Sequence, residues 1–180
     1  MRRAVCVDER RTLQAAVRRV GKRWMTTAHW LDLRIPPPVV GALVAFGMWG
    51  IADAGPQMAL PAPARTIVVG ALMVVGVAFD LLGLMAFRAS RTTINPLKPE
   101  RSSALVTGGV FRVTRNPMYV GLALLLGAWA VYLSALLPLA GPLVFVLYIT
   151  RFQIQPEERV LKRIFGEAFS SYAARVRRWL

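Results

Sequence analysis

From residue 118 to residue 154 the chain carries a single charge, Arg151. As one helix, rising about 1.5 Å per residue, this stretch would reach about 55 Å, nearly twice the ~30 Å hydrocarbon thickness of a bilayer. It must fold back. Ser134, Pro138 and the Gly141-Pro142 pair are the turn formers inside it, so the stretch predicts a tight hairpin of two helices. Two more apolar blocks precede it, residues 39–54 and 66–87. The first is entered through Ile35-Pro36-Pro37-Pro38, an extended stop that ends with Pro in a helix's first turn, where its missing N–H costs nothing. A soluble amphipathic helix needs apolar residues on one face only, whereas these blocks are apolar all round. The reading is an all-α integral membrane protein with four transmembrane helices, spans three and four forming the hairpin, and a C-terminal amphipathic cytosolic helix.

The charge sits between the blocks. Of the 23 Lys/Arg, nine lie in residues 1–34, one between the first two spans, six in residues 88–116 and seven from Arg151 onward. By the positive-inside rule both termini and the middle loop are cytosolic, which for a bacterial chain means the inner membrane. The net charge of +14 therefore does not point to nucleic acid, because the bases flank apolar blocks instead of forming a stripe with aromatic stacking platforms. One cysteine, Cys6, and one histidine, His29, leave no metal site and no Ser-His-Asp or Cys-His set. Residues 1–34 read as a separate basic arm, either an amphipathic helix on an anionic leaflet or a disordered leader, with Met25 as an alternative start. Residues 35–180 form the membrane domain.

Two polar motifs fall on the cytosolic side. The first is Gly108-Gly109-Val110-Phe111-Arg112 leading to Arg115-Asn116-Pro117-Met118-Tyr119-Val120-Gly121. The second is Pro156-Glu157-Glu158, followed by Leu161, Phe165-Gly166, Tyr172 and Arg175-Val176. If a helix starts at Pro156 and continues through Gly166, one face carries Leu161, Ile164, Phe165, Ala168, Tyr172, Val176 and Trp179. Glu157 and Glu158 then project onto the flanks of that face, with Arg175 near Glu157. Carboxylates there need partners or a cationic ligand.

Together the motifs resemble the isoprenylcysteine carboxyl methyltransferase and phospholipid methyltransferase superfamily of integral-membrane enzymes. The likeness covers about residues 34–180, including Arg34–Pro38 and Thr93–Pro96. The resemblance implies that the loop before the third span and the C-terminal helix close around S-adenosyl-L-methionine at the cytosolic membrane face. The residue types suit that cofactor. Arg115 can take a carboxylate in a bidentate way. Glu157 or Glu158 can accept from ribose hydroxyls or pair with the ammonium, Tyr119 offers a ring and a hydroxyl, and Pro117 starts a helix whose positive end can face an anion. Asn116 stands where many relatives have His, and Phe169 where they often have Tyr, which puts a ring-borne proton role at the first position in doubt.

The cofactor-binding candidates are thus Arg115, Asn116, Pro117, Tyr119, Glu157 and Glu158. No catalytic residue is assigned, Arg115 and Glu158 being the candidates. Asp80, Tyr172 and Arg175 are candidates for acceptor contact. Asp80 is notable because an acid inside a span is expensive and usually functional. The expected activity is methyl transfer to a lipophilic acceptor: a prenylated-cysteine-like carboxylate, a phospholipid amine or a small lipophilic thiol. The alternative is a non-catalytic membrane scaffold or sensor that keeps the fold. Such a protein would be expected to lose Arg115 or the Glu pair, and this chain keeps them all.

Overall fold

The computed structural model describes residues 32–90 and 105–180. The basic arm up to residue 31 and the Thr93–Pro96 stretch lie outside the described residues. Within them the chain is helical. Helix α1 spans Pro37–Gly50, with Pro36 extended before it and prolines in its first turn. Helix α2 spans Ala62–Ala89, again with Pro in its first turn and Arg88 in its last. Helix α3 spans Pro117–Leu133. Ser134 then takes the left-handed conformation at φ 53°, a single 3-10 turn covers Leu137–Leu139, and α4 begins at Ala140. The chain thus reverses across residues 134–139, and the Gly141-Pro142 pair belongs to the first turn of α4.

From Ala140 the helix runs on past the expected break at Pro156. It is α-helical over Ala140–Ile149 (α4), widens to a π-type turn over Thr150–Ile154, and resumes as α5 over Gln155–Phe165. The widening has a cause in the sequence. Pro156 has no N–H to give the carbonyl four residues back, and its ring crowds that carbonyl. A π turn opens the ladder at that point, and the Phe152 carbonyl instead accepts the Leu33 N–H at 3.0 Å. The expected single C-terminal helix is therefore corrected. Gly166, at φ 53°, divides it, because a left-handed residue cannot continue a helix, and α6 follows over Glu167–Arg175. Val176 is extended at φ −119°, ψ 132°, so Trp179 belongs to a tail and not to a helical face.

Helices Pro37–Ala54, Ala62–Ala89 and Leu137–Phe165 are each long and apolar enough to cross a membrane, and α3 is a shorter apolar helix. Their outward faces are apolar: Phe46 is 69% and Val74 71% exposed. Water would not tolerate such contiguous surface, whereas lipid suits it. This is a membrane protein.

The core gathers where α1, α3 and α4 meet, around Val40, Met48, Tyr119, Leu126, Ala130, Phe145, Ile149 and Ile154. Trp129 Nε1 donates to the Ala45 carbonyl at 3.0 Å, tying α3 to α1. Helix α2 packs on α3 along small residues, as helices in lipid do. A Cβ on Gly76 would meet the Gly121 carbonyl at 3.0 Å, one on Gly83 would meet Met118 at 2.9 Å, and one on Gly121 would collide with the Asp80 carboxylate. This seam brings α2 hard against the N-terminal turn of α3.

Candidate functional site

The site forms where the segment before α3 meets α5, α6 and the C-terminal tail. Asn116 precedes α3, and its carbonyl accepts the N–H groups of Tyr119 and Val120 at 3.0 and 3.1 Å. Pro117 occupies the first helical position and is fully buried. Ahead of it, Thr114 is completely buried and its hydroxyl accepts the Asn116 N–H at 3.2 Å.

The tail then lies along this segment. The Arg115 N–H donates to the Arg177 carbonyl at 3.0 Å. The Arg178 carbonyl accepts from both the Thr114 hydroxyl at 3.1 Å and Asn116 Nδ2 at 2.9 Å. Two further bonds hold the frame. Trp179 Nε1 donates to Thr150 Oγ1 at 3.0 Å in the π turn, and the Tyr172 hydroxyl donates to the Phe111 carbonyl at 2.8 Å. Burial pushes the Tyr172 phenol up to about 12, with nearby Arg115 pulling the other way, so it stays a donor throughout the neutral range.

This frame points two guanidinium groups at one carboxylate. Glu158 accepts from Arg178 Nη2 at 2.6 Å and Arg178 Nε at 3.1 Å, a bidentate pair. Arg115 Nη2 lies 3.2 Å from the same carboxylate. Glu158 and Arg115 are 17% and 14% exposed. Arg115 Nε is buried and has no hydrogen-bond partner among the described residues. The neighbouring Glu157 turns elsewhere and accepts the Tyr119 hydroxyl at 3.2 Å.

Adjacent residues on a helix point about 100° apart, and the two carboxylates use that separation to face different spaces. One is a cleft lined by Phe87, Phe111, Pro117, Met118, Tyr119 and Glu157, with Arg115 and Asn116 at its side. It is mostly apolar, and Phe87 and Phe111 meet edge-on within it at 5.2 Å. The other is a larger polar cavity, about 990 Å³ including its open mouth, walled by Glu158, Arg159, Lys162, Phe169 and Arg178 among others. Arg115 borders both.

Of the residues singled out in the sequence, Arg115, Asn116, Pro117, Tyr119, Glu157 and Glu158 come together here. Tyr172 lies beside them with its hydroxyl committed to Phe111. Arg175 is exposed on α6, its Nε donating to the Ser171 carbonyl at 3.2 Å, and does not join the Glu pair. Asp80 packs against Gly121 in the α2–α3 seam and lines neither space. Sequence reasoning missed Arg178, Arg159 and Thr114. The two arginines sit among many bases that read as membrane anchors, and Thr114 carried no pattern at all. Among the described residues no cluster of His, Cys, Asp or Glu is suited to a metal.

Comparison with known proteins points in one direction. The family model described as phospholipid methyltransferase matches residues 64–168, a span that holds the α2–α3 seam, the Arg115 segment and the Glu pair. An uncharacterized protein from Haemophilus influenzae is 43% identical over 63 residues, covering 35% of this chain and all of that one. Protein-S-isoprenylcysteine O-methyltransferase B from Arabidopsis thaliana is 28% identical over 110 residues, 58% of this chain and 53% of the plant protein. This chain thus aligns with about half the length of the plant enzyme.

Proposed function

The chain belongs to the phospholipid methyltransferase family, and from that premise we propose that it transfers a methyl group from S-adenosyl-L-methionine to a lipophilic acceptor at the cytosolic membrane face. The observation that carries this reading is Arg115 standing between a polar cavity and an apolar cleft, with Glu158 facing one and Glu157 the other. Two reactants of opposite polarity need two such spaces meeting at one point.

The residues of the polar cavity fit the cofactor. The unpartnered Arg115 Nε is a donor suited to a carboxylate. Glu158 is a carboxylate suited to an ammonium or to ribose hydroxyls, and Phe169 supplies a ring surface. When bound, S-adenosyl-L-methionine supplies a methyl group activated by its sulfonium. The chain's own part is to hold and orient. Arg115, Arg178 and Glu158 hold the polar ligand, and Asn116 and Thr114 fix the tail that carries Arg178. Glu157 and the Tyr119 hydroxyl present oxygen atoms to an acceptor head in the apolar cleft. Bringing the two partners into register supplies much of the rate for a displacement of this kind.

A lipophilic acceptor reaches the cleft from the lipid side, already concentrated and oriented in the leaflet. With four spans and the charge distribution of the sequence, both termini and the site lie in the cytosol. The acceptor's head group is a carboxylate, an amine or a thiol.

Binding to detergent-purified protein tests the cofactor half. Arg115→Ala and Glu158→Gln each weaken S-adenosyl-L-methionine binding by about 1.5–3 kcal/mol, the range for charge-assisted contacts. Equal affinity in wild type and both variants would return these residues to the role of membrane anchors.

A further inference from the structure

Asp32 is a buried acid for which the methyl-transfer reading has no role. Its carboxylate, 1% exposed, accepts from Arg159 Nη2 at 2.9 Å and lies 3.8 Å from Arg151 Nη1. A lone surface ion pair would count for little, but here the acid is sealed in and its backbone is pinned beside it. Leu33 is buried at φ 57°, a conformation a branched side chain holds only when its surroundings over-determine it. Its N–H caps the Phe152 carbonyl, the carbonyl that Pro156 leaves without a helical donor. The segment before α1 thus docks on the π turn because of Pro156, and this docking delivers Asp32 to Arg159.

Arg159 is also a wall of the polar cavity, with Arg115, Lys162 and Arg178. Glu158 offsets Arg115 and Arg178. Asp32 offsets Arg159, and it does so from behind the wall, since it is not among the residues that line the cavity. Without it the cavity would hold four cations against one carboxylate. Such a field suits a simple anion. It opposes a ligand with cationic centres of its own.

We propose that Asp32 is a positioning residue that acts through Arg159: from behind the wall it offsets the Arg159 guanidinium and so lowers the positive field inside, which lets a zwitterionic ligand with net positive charge occupy the cavity. The identification of that ligand as S-adenosyl-L-methionine rests on the proposed function. The electrostatic role of Asp32 does not.

The test is a pair of readouts on the full chain in detergent. In the first, S-adenosyl-L-methionine binding is compared in Asp32→Asn and in Asp32→Asn/Arg159→Gln. Asp32→Asn weakens binding about threefold to tenfold, the factor for one unit charge acting over several ångströms at an intermediate dielectric, and the loss shrinks as salt is raised. Adding Arg159→Gln restores affinity to within about threefold. Asp32→Asn that binds as wild type does, or a loss that Arg159→Gln leaves in place, overturns the proposal.

The second readout needs no cofactor. In a Cys6→Ser background, Ala174→Cys places a thiol on the cavity wall. Its rates with an anionic and a cationic methanethiosulfonate reagent report the local field. Asp32→Asn raises the anionic-to-cationic rate ratio about threefold or more, and Arg159→Gln brings it back. An unchanged ratio overturns the claim. Should Asp32→Asn alone fail to fold, the same change in the Arg159→Gln background decides: the double variant has an anionic-to-cationic ratio about threefold or more above that of Arg159→Gln, and equal ratios overturn the claim. If wild type binds no S-adenosyl-L-methionine, the proposed function fails while this ratio still judges Asp32.

Discussion

The two ends of the helical bundle are closed by the same device and differ in charge. At the end away from the site, the segment after α1 pairs with the reversal between α3 and α4. The Met58 N–H donates to the Ser134 carbonyl at 2.7 Å and the Leu136 N–H to the Pro56 carbonyl at 3.0 Å. Arg65 adds a bond to the Ser134 hydroxyl at 2.8 Å. At the site end, the tail pairs with the segment before α3 through Arg115 N–H and the Arg177 carbonyl in the same loop-to-loop fashion. Both ends pair backbone groups that lie outside the helical ladders. Among the described residues, only the site end adds half-buried or buried carboxylates, Glu157, Glu158 and Asp32, with guanidinium groups around two of them.

The difference teaches what closure requires. The distant end shows that backbone bonds and one guanidinium-to-hydroxyl contact, with no carboxylate, are enough to tie two loops. Buried ion pairs are weak contributors to stability, because desolvation offsets most of the attraction. The charges at the site end are therefore surplus to folding and point to a polar ligand.

The largest effect belongs to Arg115→Ala, which removes the group shared by both spaces. Methyl transfer measured on membranes falls by about 100-fold or more, as for loss of a charge-assisted contact that also orients a reactant. Retained activity would dissolve the contrast between the ends. Glu158→Gln comes next. Beyond its effect on binding, it leaves Arg115 and Arg178 without their counter-charge, and thermal unfolding reads a loss of about 1–3 kcal/mol.

A smaller effect is predicted for Tyr172→Phe. The Phe111 carbonyl loses its donor, and stability drops by about 1 kcal/mol. Because Tyr172 donates to the frame and not to a ligand, S-adenosyl-L-methionine affinity stays within about threefold, since separate contacts add nearly independently. A larger loss would make the phenol a binding group. The smallest effect is at the far end. Arg65→Ala costs about 0.5–1.5 kcal/mol of stability and leaves cofactor affinity unchanged. A drop in affinity there would show the ends to be coupled.

The pattern of the sequence made the helices legible, because lipid demands apolar blocks and turns demand Ser, Gly and Pro. Arg115 and the Glu pair stood out through the resemblance of their two motifs to a known family, since an arginine at the edge of a span is by itself an ordinary membrane anchor. Three features were hidden for physical reasons. Pro156 marks a helix start in most contexts, but the π turn at Thr150–Ile154 absorbs it, and the donor that makes this possible comes from Leu33, more than a hundred residues away. Gly166 breaks the C-terminal helix through one left-handed φ, which composition cannot report. Arg178 looks like any base beside a membrane until the extended tail turns it toward Glu158. Helical projection paired Glu157 with Arg175 on the assumption of continuity. With the break, the partners are Tyr119 for Glu157 and Arg115 with Arg178 for Glu158.

The proposed passage of a methyl group at the charged end of the bundle, from a polar donor to a lipid-side acceptor, is the step on which the roles of Arg115 and the Glu pair depend. It is tested most directly by incubating membranes that contain the protein with S-adenosyl-L-methionine labelled in its methyl group, and partitioning the products between organic solvent and water. Label is expected in an organic-extractable product with the wild-type chain and is lost with Arg115→Ala. Label confined to water-soluble molecules would contradict the lipid-side route, and no labelled product from either chain would contradict methyl transfer itself.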